Sequence, residues 1–443
     1  MNAPLARPAS AAECAEPTAA ELVAARPHLS FHAMDGLVLE GAPLAAIAGI
    51  LGTPAWVYSA GTMRARYARL ATALDGLNAQ IHYAVKANDH LAVLRLFGAA
   101  GAGADVVSEG ELRRARRAGI APGHIVFSGV GKTVAELELA LGEGIAQINV
   151  ESAAELAMIS ALATRMGCTA DVALRINPDV DAGTHAKITT GRADNKFGIP
   201  YDEAAGLYVH AAALPGVRPV GLALHIGSQI MAMAPYRAAY ARAADMVRAL
   251  RATGHTVTRM DCGGGLGIGY GSEGDASPTA FAGALRAAFG AMELKLMIEP
   301  GRWLVGPAGV LLASVVLVKG DRGRFVVLDA AMNDLVRPSM YDAWHGVVPL
   351  SAVGALAPVR NVDLVGPVCE SGDTFARDRS LPDLAAGSLV ALLDAGAYGA
   401  VMSSTYNARP LAPIAWVDGD RWTTIRARQS HDDLWAGEHL PDI

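Results

Sequence analysis

The chain has 443 residues, of which 52% are hydrophobic, and its mean hydropathy is positive, so wholesale disorder is excluded. The 37 basic and 43 acidic residues give a formal net charge of −6, which provides no basic surface for nucleic acid or for an anionic membrane. A small-molecule partner is therefore expected.

The first 26 residues are rich in Ala, Pro and Glu, show little apolar periodicity, and predict a flexible leader. They lack the basic start, apolar run and cleavage site of a secretory signal, which indicates a cytoplasmic protein. The apolar stretch 305–318 is too short to cross a bilayer and predicts a buried strand. The scattered cysteines form no CxxC pair, so a reducing compartment fits and structural zinc does not; they are Cys14, Cys168, Cys262 and Cys369.

From residue 54 to about residue 300, short apolar runs alternate with helical stretches. Strands are predicted over 55–58, 80–85, 103–107, 124–127, 147–150, 171–176, 221–225, 256–261 and 294–298. Helices are predicted over 62–74, 109–118, 153–166, 234–252 and 280–289, and Ser152 is a candidate cap for the third of them. This alternation, with eight or nine strands, favours a closed (β/α)₈ barrel of parallel strands over an open doubly wound sheet.

After residue 301 the chain changes to β-rich runs without long helices, which predicts a mostly β second domain. The runs cover 310–318, 325–328, 360–365, 388–393 and 422–426. Segment 28–39 also has the pattern of a strand and is expected to join the second domain. The predicted organisation is a leader at 1–26, an N-terminal strand region at 27–52, a barrel at 53–305 and a β-rich domain at 306–443.

Only six of the 37 basic residues are lysines, so a lysine next to an apolar strand attracts attention. Lys86 lies at the carboxyl end of a predicted strand, where barrel enzymes place their catalytic groups. A partly desolvated lysine there is expected to have a depressed pKa and could form a Schiff base. The alternative is a strand-end lysine that extends into solvent.

Three further strand ends carry polar or glycine-rich clusters. Consecutive glycines at 263–265 would let backbone N–H groups approach a phosphate. His225 with Ser228, and Glu299 with Arg302, suit a charged ring with a phosphate arm. The later glycines at 269–274 match G-x-G-x-x-G only superficially, since no helix follows at once. The chain lacks HExxH, P-loop and GxSxG motifs, so metalloprotease, nucleotide hydrolase and serine esterase functions are not supported.

Taken in chain order, six motifs carry a resemblance to a known family: YAVKAN at 83–88, HIGSQ at 225–229, GGG at 263–265, EPGR at 299–302, CESGD at 369–373 and DAGAY at 394–398. In order and spacing, the chain resembles the pyridoxal-phosphate-dependent diaminopimelate decarboxylases over roughly residues 30–435. RPSMY at 337–341, together with CESGD, points to this branch of the alanine-racemase-like group. The fold implied by the resemblance is a (β/α)₈ barrel plus a β-domain that takes up the N-terminal strand.

The resemblance also implies a role for each motif residue. Lys86 would hold pyridoxal 5'-phosphate covalently, and Cys369 would be a second catalytic residue. Further cofactor contacts would come from His225, Ser228, Gly263, Gly264, Gly265, Glu299, Gly301, Arg302 and Tyr398. The substrate would be bound by Arg302, Arg337, Tyr341, Glu370 and Tyr398. Because Cys369 and Glu370 enter the site of a second subunit in this family, a homodimer with shared active sites is implied.

The implied reaction is the decarboxylation of meso-2,6-diaminopimelate to L-lysine and carbon dioxide, the last step of lysine biosynthesis. One alternative is a decarboxylase for ornithine, lysine or arginine, but those substrates end in a cation, which Arg302 and Arg337 disfavour. Another is a regulatory protein that binds the cofactor without turnover, and such proteins lack the β-domain that carries Cys369 and Tyr398. A nicotinamide dehydrogenase would need a Rossmann start that is absent.

Overall fold

The computed structural model describes residues 16–181 and 196–441. Its helices are α1 (Ala19–Ala24), α2 (Leu44–Leu51), α3 (Ala60–Ala73), α4 (Leu91–Ala99), α5 (Glu109–Arg117), α6 (Val134–Glu143), α7 (Ala153–Met166), α8 (Tyr201–Ala213), α9 (Ala234–Ala252), α10 (Pro278–Phe289), α11 (Arg302–Val305) and α12 (Arg337–Tyr341). Its strands are β1 (Leu29–His32), β2 (Gly36–Leu39), β3 (Ala42–Pro43), β4 (Ala55–Ser59), β5 (Ala79–Ala84), β6 (Gly103–Val106), β7 (Ile125–Phe127), β8 (Gln147–Val150), β9 (Ala170–Asn177), β10 (Ile199–Pro200), β11 (Val217–Ala223), β12 (Arg259–Asp261), β13 (Lys295–Ile298), β14 (Gly309–Lys319), β15 (Phe325–Leu328), β16 (Val347–Pro349), β17 (Val359–Val365), β18 (Thr374–Pro382), β19 (Leu389–Leu392), β20 (Ile414–Asp418) and β21 (Arg421–Arg426).

Eight parallel strands close into a barrel in the order β5, β6, β7, β8, β9, β11, β12 and β13, and β13 pairs with β5 to complete the ring. At the closure, Leu296 lies opposite Ala79 and Ile298 opposite Ile81. Helices cover the outside of the barrel, which explains why its strands are short apolar runs without polar alternation. The predicted (β/α)₈ barrel is confirmed.

A second, mostly antiparallel sheet has the order β18, β17, β15, β14, β4, β20 and β21. In addition, β19 pairs with β14, and β16 pairs with β19. The stretch 305–318, expected to be a buried strand, contributes most of β14, whose first half is buried. Its residues pack into a core shared with the barrel, so the β-domain is fixed against the barrel. The predicted mostly β second domain is also confirmed.

Strand β4 differs from the expectation, because it does not belong to the barrel although its sequence continues the barrel pattern. It pairs antiparallel with β14, with Tyr58 opposite Gly309, and parallel with β20, with Trp56 opposite Ile414. All five of its residues are buried. A strand buried on both faces looks the same in sequence in either sheet, so only its distant pairing partners distinguish the two locations.

The N-terminal region is more ordered than the flexible leader predicted for 1–26. Residues 1–15 lie outside the described residues, but α1 begins with a capping box in which Thr18 and Glu21 bond reciprocally. Leu22 and Val23 are buried in a second core with residues of β2, β14 and β19. Strands β1, β2 and β3 form a small sheet of their own against this core, so the N-terminal strand region does join the β-domain.

Over residues 16–181 and 196–441, the structure contains no helix that is long and apolar enough to span a membrane.

Candidate active site

Three of the predicted site residues line one cavity at the carboxyl ends of the barrel strands. Lys86 lies in a short 3₁₀ turn directly after β5, His225 follows β11, and Glu299 follows β13. The cavity has a volume of about 200 Å³. Parallel strands in a barrel all end at the same rim, which is why residues so far apart in sequence meet there.

Lys86 faces a cluster of buried carboxyl groups on Asp105, Asp261 and Glu299. Lys86 Nζ donates to Asp105 Oδ2 at 2.6 Å. Burial lowers the pKa of Lys86, but the negative charges of Asp105 and Glu299 outweigh it, and the pKa is raised above its ordinary value. The depressed pKa expected for this lysine is therefore wrong for the described chain, because an acidic partner from β6 offsets desolvation.

Glu299 is itself strongly perturbed. Burial raises its pKa well above the ordinary range, and the nearby Asp105 and Asp261 raise it further. Its Oε1 accepts a hydrogen bond from Ser128 Oγ at 3.3 Å, and Asn149 Nδ2 donates to Asp261 at 2.8 Å. Three carboxyl groups thus lie near a single lysine. This excess of acidic groups favours the binding of a further positively charged group beside Glu299.

The imidazole of His225 is neutral and held in one orientation. Burial lowers its pKa well below the ordinary value, and the positive charges of Arg175 and Lys86 lower it further. Its Nδ1 accepts the Gly264 N–H at 3.2 Å, so the ring proton is on Nε2. The site therefore presents an uncharged flat ring on the wall of the Lys86 cavity.

The three consecutive glycines are required mainly by close packing between strand-end loops. A Cβ on Gly264 would lie 2.0 Å from the Glu299 carbonyl oxygen, and one on Gly265 would lie 2.2 Å from the Gly227 carbonyl oxygen. Two of the three amides are already used, since Gly263 N donates to Asp261 Oδ1 and Gly264 N to His225 Nδ1. Among the described hydrogen bonds, the N–H of Gly265 has no acceptor, so of the three it is the one available to an anion.

Gly301 acts at a close approach beneath the lysine turn. A Cβ at this position would lie 2.8 Å from Cβ of Ala87 and 3.2 Å from Cβ of Ala84. Glycine therefore lets α11 pack directly against the residues on either side of Lys86.

A second cavity, of about 320 Å³, contains all the predicted substrate residues except Glu370. Its lining is formed by Ser228, Gln229, Tyr270, Arg302, Arg337, Tyr341, Ala343, Trp344 and Tyr398. Arg302 donates from Nη1 to the Tyr270 hydroxyl at 2.7 Å and from Nη2 to Ser228 Oγ at 3.1 Å. The described lining thus includes two arginines and no carboxylate, so the cavity suits a negatively charged group.

Tyr398 lines the arginine cavity and is hydrogen-bonded to the turn that carries Lys86. Its backbone N–H donates to the Ala87 carbonyl oxygen at 2.8 Å, beside Lys86, and its ring lies 4.8 Å below the Arg302 guanidinium. Asn88 adds a second bond to the same loop, from Nδ2 to the Gly396 carbonyl oxygen at 3.0 Å. These two hydrogen bonds therefore hold the DAGAY and YAVKAN motifs side by side.

Cys369 and Glu370 do not join these residues within the described chain. Both side chains are exposed, and neither lines the lysine cavity or the arginine cavity. Glu370 Oε1 accepts a hydrogen bond from the Tyr406 hydroxyl at 2.6 Å.

Sequence reasoning missed several residues that shape the site. Asp105 follows the pattern of a buried strand end and could have been noticed as a charged residue in an apolar run. Tyr270 belongs to a glycine-rich loop without a recognisable functional motif, and His345 lies in no motif. His345 Nε2 lies 2.7 Å from Arg337 Nη1, and the Tyr270 ring lies 5.0 Å from the Arg337 guanidinium.

A larger cavity, of about 640 Å³, lies behind loop 269–275 and does not contain Lys86. Two of its arginines are paired, Arg26 with Asp394 and Arg66 with Asp275. Asp394 is the only residue of the six motifs that lines it. Although this cavity is larger than the other two, it lacks Lys86, so we do not assign it as the catalytic site.

Comparisons with known proteins agree with this geometry. Residues 60–306 match the family described as "Pyridoxal-dependent decarboxylase, pyridoxal binding domain". Diaminopimelate decarboxylase of Zymomonas mobilis is 47% identical over 408 residues, covering 91% of this chain and 96% of the relative. The enzyme of the same name from Pseudomonas aeruginosa is 44% identical over 405 residues, covering 91% and 97%. The crystal structure of diaminopimelate decarboxylase from Helicobacter pylori complexed with L-lysine has a TM-score of 0.86 at 38% identity, covering 89% and 98%.

The barrel, the lysine cavity and the matched region together define a pyridoxal-phosphate-dependent decarboxylase. Within this class, the sequence identity to the relatives over most of both chains identifies the family. The chain belongs to the diaminopimelate decarboxylase family.

The residues present fit the cofactor of this family. Pyridoxal 5'-phosphate needs an amine, a carboxylate for its ring nitrogen, a flat neighbour for its ring and N–H donors for its phosphate. The described chain offers Lys86, Glu299, His225 and the unused N–H of Gly265 for these needs. In addition, Oδ1 of the buried Asp105, the partner of Lys86, has no hydrogen bond, so an acceptor beside the lysine remains unsatisfied.

Proposed function

We propose that this protein decarboxylates meso-2,6-diaminopimelate to L-lysine and carbon dioxide, with pyridoxal 5'-phosphate attached to Lys86. The observation that carries the proposal is the cavity with Arg302, Arg337 and Tyr341, which has no carboxylate in its described lining. A substrate with a second carboxylate suits it, whereas ornithine, lysine and arginine end in a cation.

The residues of the lysine cavity have distinct tasks in this proposal. Bound pyridoxal phosphate supplies a conjugated ring that takes up the electron pair left on Cα when carbon dioxide departs. Glu299 would pair with the ring nitrogen, because an ionised carboxylate stabilises the protonated form of that nitrogen. His225 covers one face of the ring without adding charge. Outside this cavity, Ser228 of the arginine cavity and the Gly265 N–H would bind the phosphate, with Gly263 and Gly264 fixing the shape of the loop.

Lys86 must lose a proton before its amine can react. Asp105 Oδ2 is the acceptor at hand, 2.6 Å from Lys86 Nζ. Asp105 therefore orients Lys86 Nζ and would be a group within hydrogen-bond reach of the proton that the amine releases.

The arginine cavity orients the substrate. Arg302 and Arg337 bind the distal carboxylate together with Tyr341, and Tyr398 contacts both substrate and cofactor. Fixing the distal end fixes which substituent of Cα stands perpendicular to the ring, and this sets which bond breaks.

The proposal also includes a homodimer in which Cys369 and Glu370 complete the partner's site. It is supported by their exposure outside both cavities and by the lack of a described carboxylate for the distal ammonium. The Lys86→Ala and Glu370→Ala variants, each inactive alone, should regain activity when mixed under subunit exchange, because one site of the heterodimer is intact. Confirmed exchange without recovered activity would refute shared sites.

The substrate assignment is tested by carbon dioxide release from meso-diaminopimelate, L-lysine, L-ornithine and L-arginine. We expect turnover of meso-diaminopimelate alone to be efficient. The Arg337→Ala variant should lose about 2–5 kcal/mol of transition-state binding, seen in kcat/KM. Faster turnover of ornithine or arginine by the unmodified protein would replace the assignment with a basic amino-acid decarboxylase.

A further inference from the structure

His345 is a buried histidine whose two ring nitrogens are both engaged. It lies between α12 and β16 and is 2% exposed. Nδ1 lies 2.8 Å from the Leu393 carbonyl oxygen, and Nε2 lies 2.7 Å from Arg337 Nη1. A carbonyl only accepts and a guanidinium only donates, so these partners assign the proton to Nδ1 and leave Nε2 as an acceptor.

The surroundings keep this ring in its neutral form. Burial lowers the pKa of His345 well below its ordinary value, and the charges of Arg337, Arg302 and Arg379 lower it further. Arg379 also donates from Nη1 to the His345 carbonyl oxygen at 2.9 Å, which fixes the backbone.

Tyr270 extends the same arrangement to the second arginine. Its ring stands edge-on to His345 with centroids 5.3 Å apart, and the Arg337 guanidinium lies 5.0 Å from its centre. The Tyr270 hydroxyl accepts from Arg302 Nη1 at 2.7 Å. One imidazole and one phenol thus hold both guanidiniums of the arginine cavity.

We propose that His345 is a positioning residue that sets specificity for a distal carboxylate by aligning Arg337. The inference rests on the proposed function and deepens it. Arg337 is a long side chain with many rotamers, and its fork binds a carboxylate well only in one orientation. A neutral acceptor at Nε2 directs Nη1 without neutralising the guanidinium, whereas an acidic residue there would compete with the substrate.

The kinetic test compares His345→Leu with His345→Gln, which retains an acceptor near the position of Nε2. For His345→Leu we expect kcat/KM for meso-diaminopimelate to fall about 10- to 100-fold, with a smaller fall for His345→Gln. The slow turnover of L-lysine, which has no second carboxylate, should not change. A general structural defect would lower both activities together.

Two controls separate positioning from stability. The His82→Leu variant also removes a buried imidazole, but His82 lines neither cavity, so its kinetics should match the unmodified protein. The double variant His345→Leu/Arg337→Ala should be no worse than Arg337→Ala alone, because His345 acts through Arg337. Additive losses would overturn the inference.

A binding measurement keeps the inference testable if the substrate differs. Pimelate, a seven-carbon dicarboxylate, should bind the holoenzyme in calorimetry and bind His345→Leu about tenfold or more weakly. Equal pimelate affinity for both proteins would refute the role of His345. If His345→Leu binds pimelate more weakly but the unmodified protein does not turn over meso-diaminopimelate, the proposed function is refuted and the positioning role of His345 stands. No pimelate binding to the unmodified protein would overturn the carboxylate subsite and the inference together.

Discussion

Replacing Arg26 with methionine removes a guanidinium that ties the N-terminal segment to the active-site loop. Arg26 Nε donates to both oxygens of Asp394, at 3.1 and 3.0 Å. Nη2 donates to the Tyr270 carbonyl oxygen at 2.7 Å, and Nη1 to the Leu22 carbonyl oxygen at 2.6 Å. The side chains of Arg26 and Asp394 are 5% and 1% exposed, so bulk solvent has little access to this ion pair.

The cost of this replacement follows from what remains buried. Asp394 would be left buried without its cationic partner, which typically costs about 3–5 kcal/mol of unfolding free energy. The exposed pair Arg64 and Asp418 offers a matched control, because its side chains are 50% and 54% exposed. Arg64→Met should cost less than about 1 kcal/mol.

The assay is urea unfolding of the holoenzyme, combined with kcat/KM for meso-diaminopimelate. We expect Arg26→Met to lower both, since Tyr270 loses its backbone anchor and Arg302 then loses the alignment that the Tyr270 hydroxyl provides. Adding Asp394→Asn to Arg26→Met should recover part of the stability, because it replaces the unpaired buried carboxyl group with a neutral amide. The reasoning is refuted if Arg26→Met and Arg64→Met behave alike in both measurements.

Three further outcomes are expected. The Lys86→Ala variant should form no covalent adduct with the cofactor that borohydride can trap, and a reducible adduct in this variant would mean that another amine is the attachment point. Glu299→Gln should lower kcat about 100-fold or more while the cofactor absorbance persists, and unchanged turnover would remove Glu299 from the mechanism. Burial lowers the pKa of His82 to about 4, so the unfolded chain binds this proton more tightly. The stability associated with His82 is thus complete above about pH 6.5 and is lost as the pH falls toward 4, by about 3 kcal/mol. The His82→Leu variant should reduce this loss of unfolding free energy at acid pH, whereas the control His210→Gln, at an exposed position, should not. Identical pH profiles of stability for His82→Leu and the unmodified protein would contradict the prediction.

The sequence alone determined most of the barrel and the central residues of the site. Apolar runs separated by amphipathic stretches place the barrel strands within a few residues, and the predicted cap of α7, Ser152, is confirmed. Lys86, His225 and Glu299 can be grouped from their positions in the chain, because parallel strands of a barrel end at one rim. These features depend on local pattern and on a fold with few alternatives.

Only the tertiary structure decided the features that depend on distant partners. Strand β4 has the pattern of a barrel strand, yet its neighbours are β14 and β20. Arg26 lies in a segment without apparent structure in the sequence, and its partner Asp394 is 368 residues away. The pKa of Lys86 is raised rather than lowered because Asp105 comes from another strand. Burial and charge pairing are properties of the assembled chain, and no local pattern carries them.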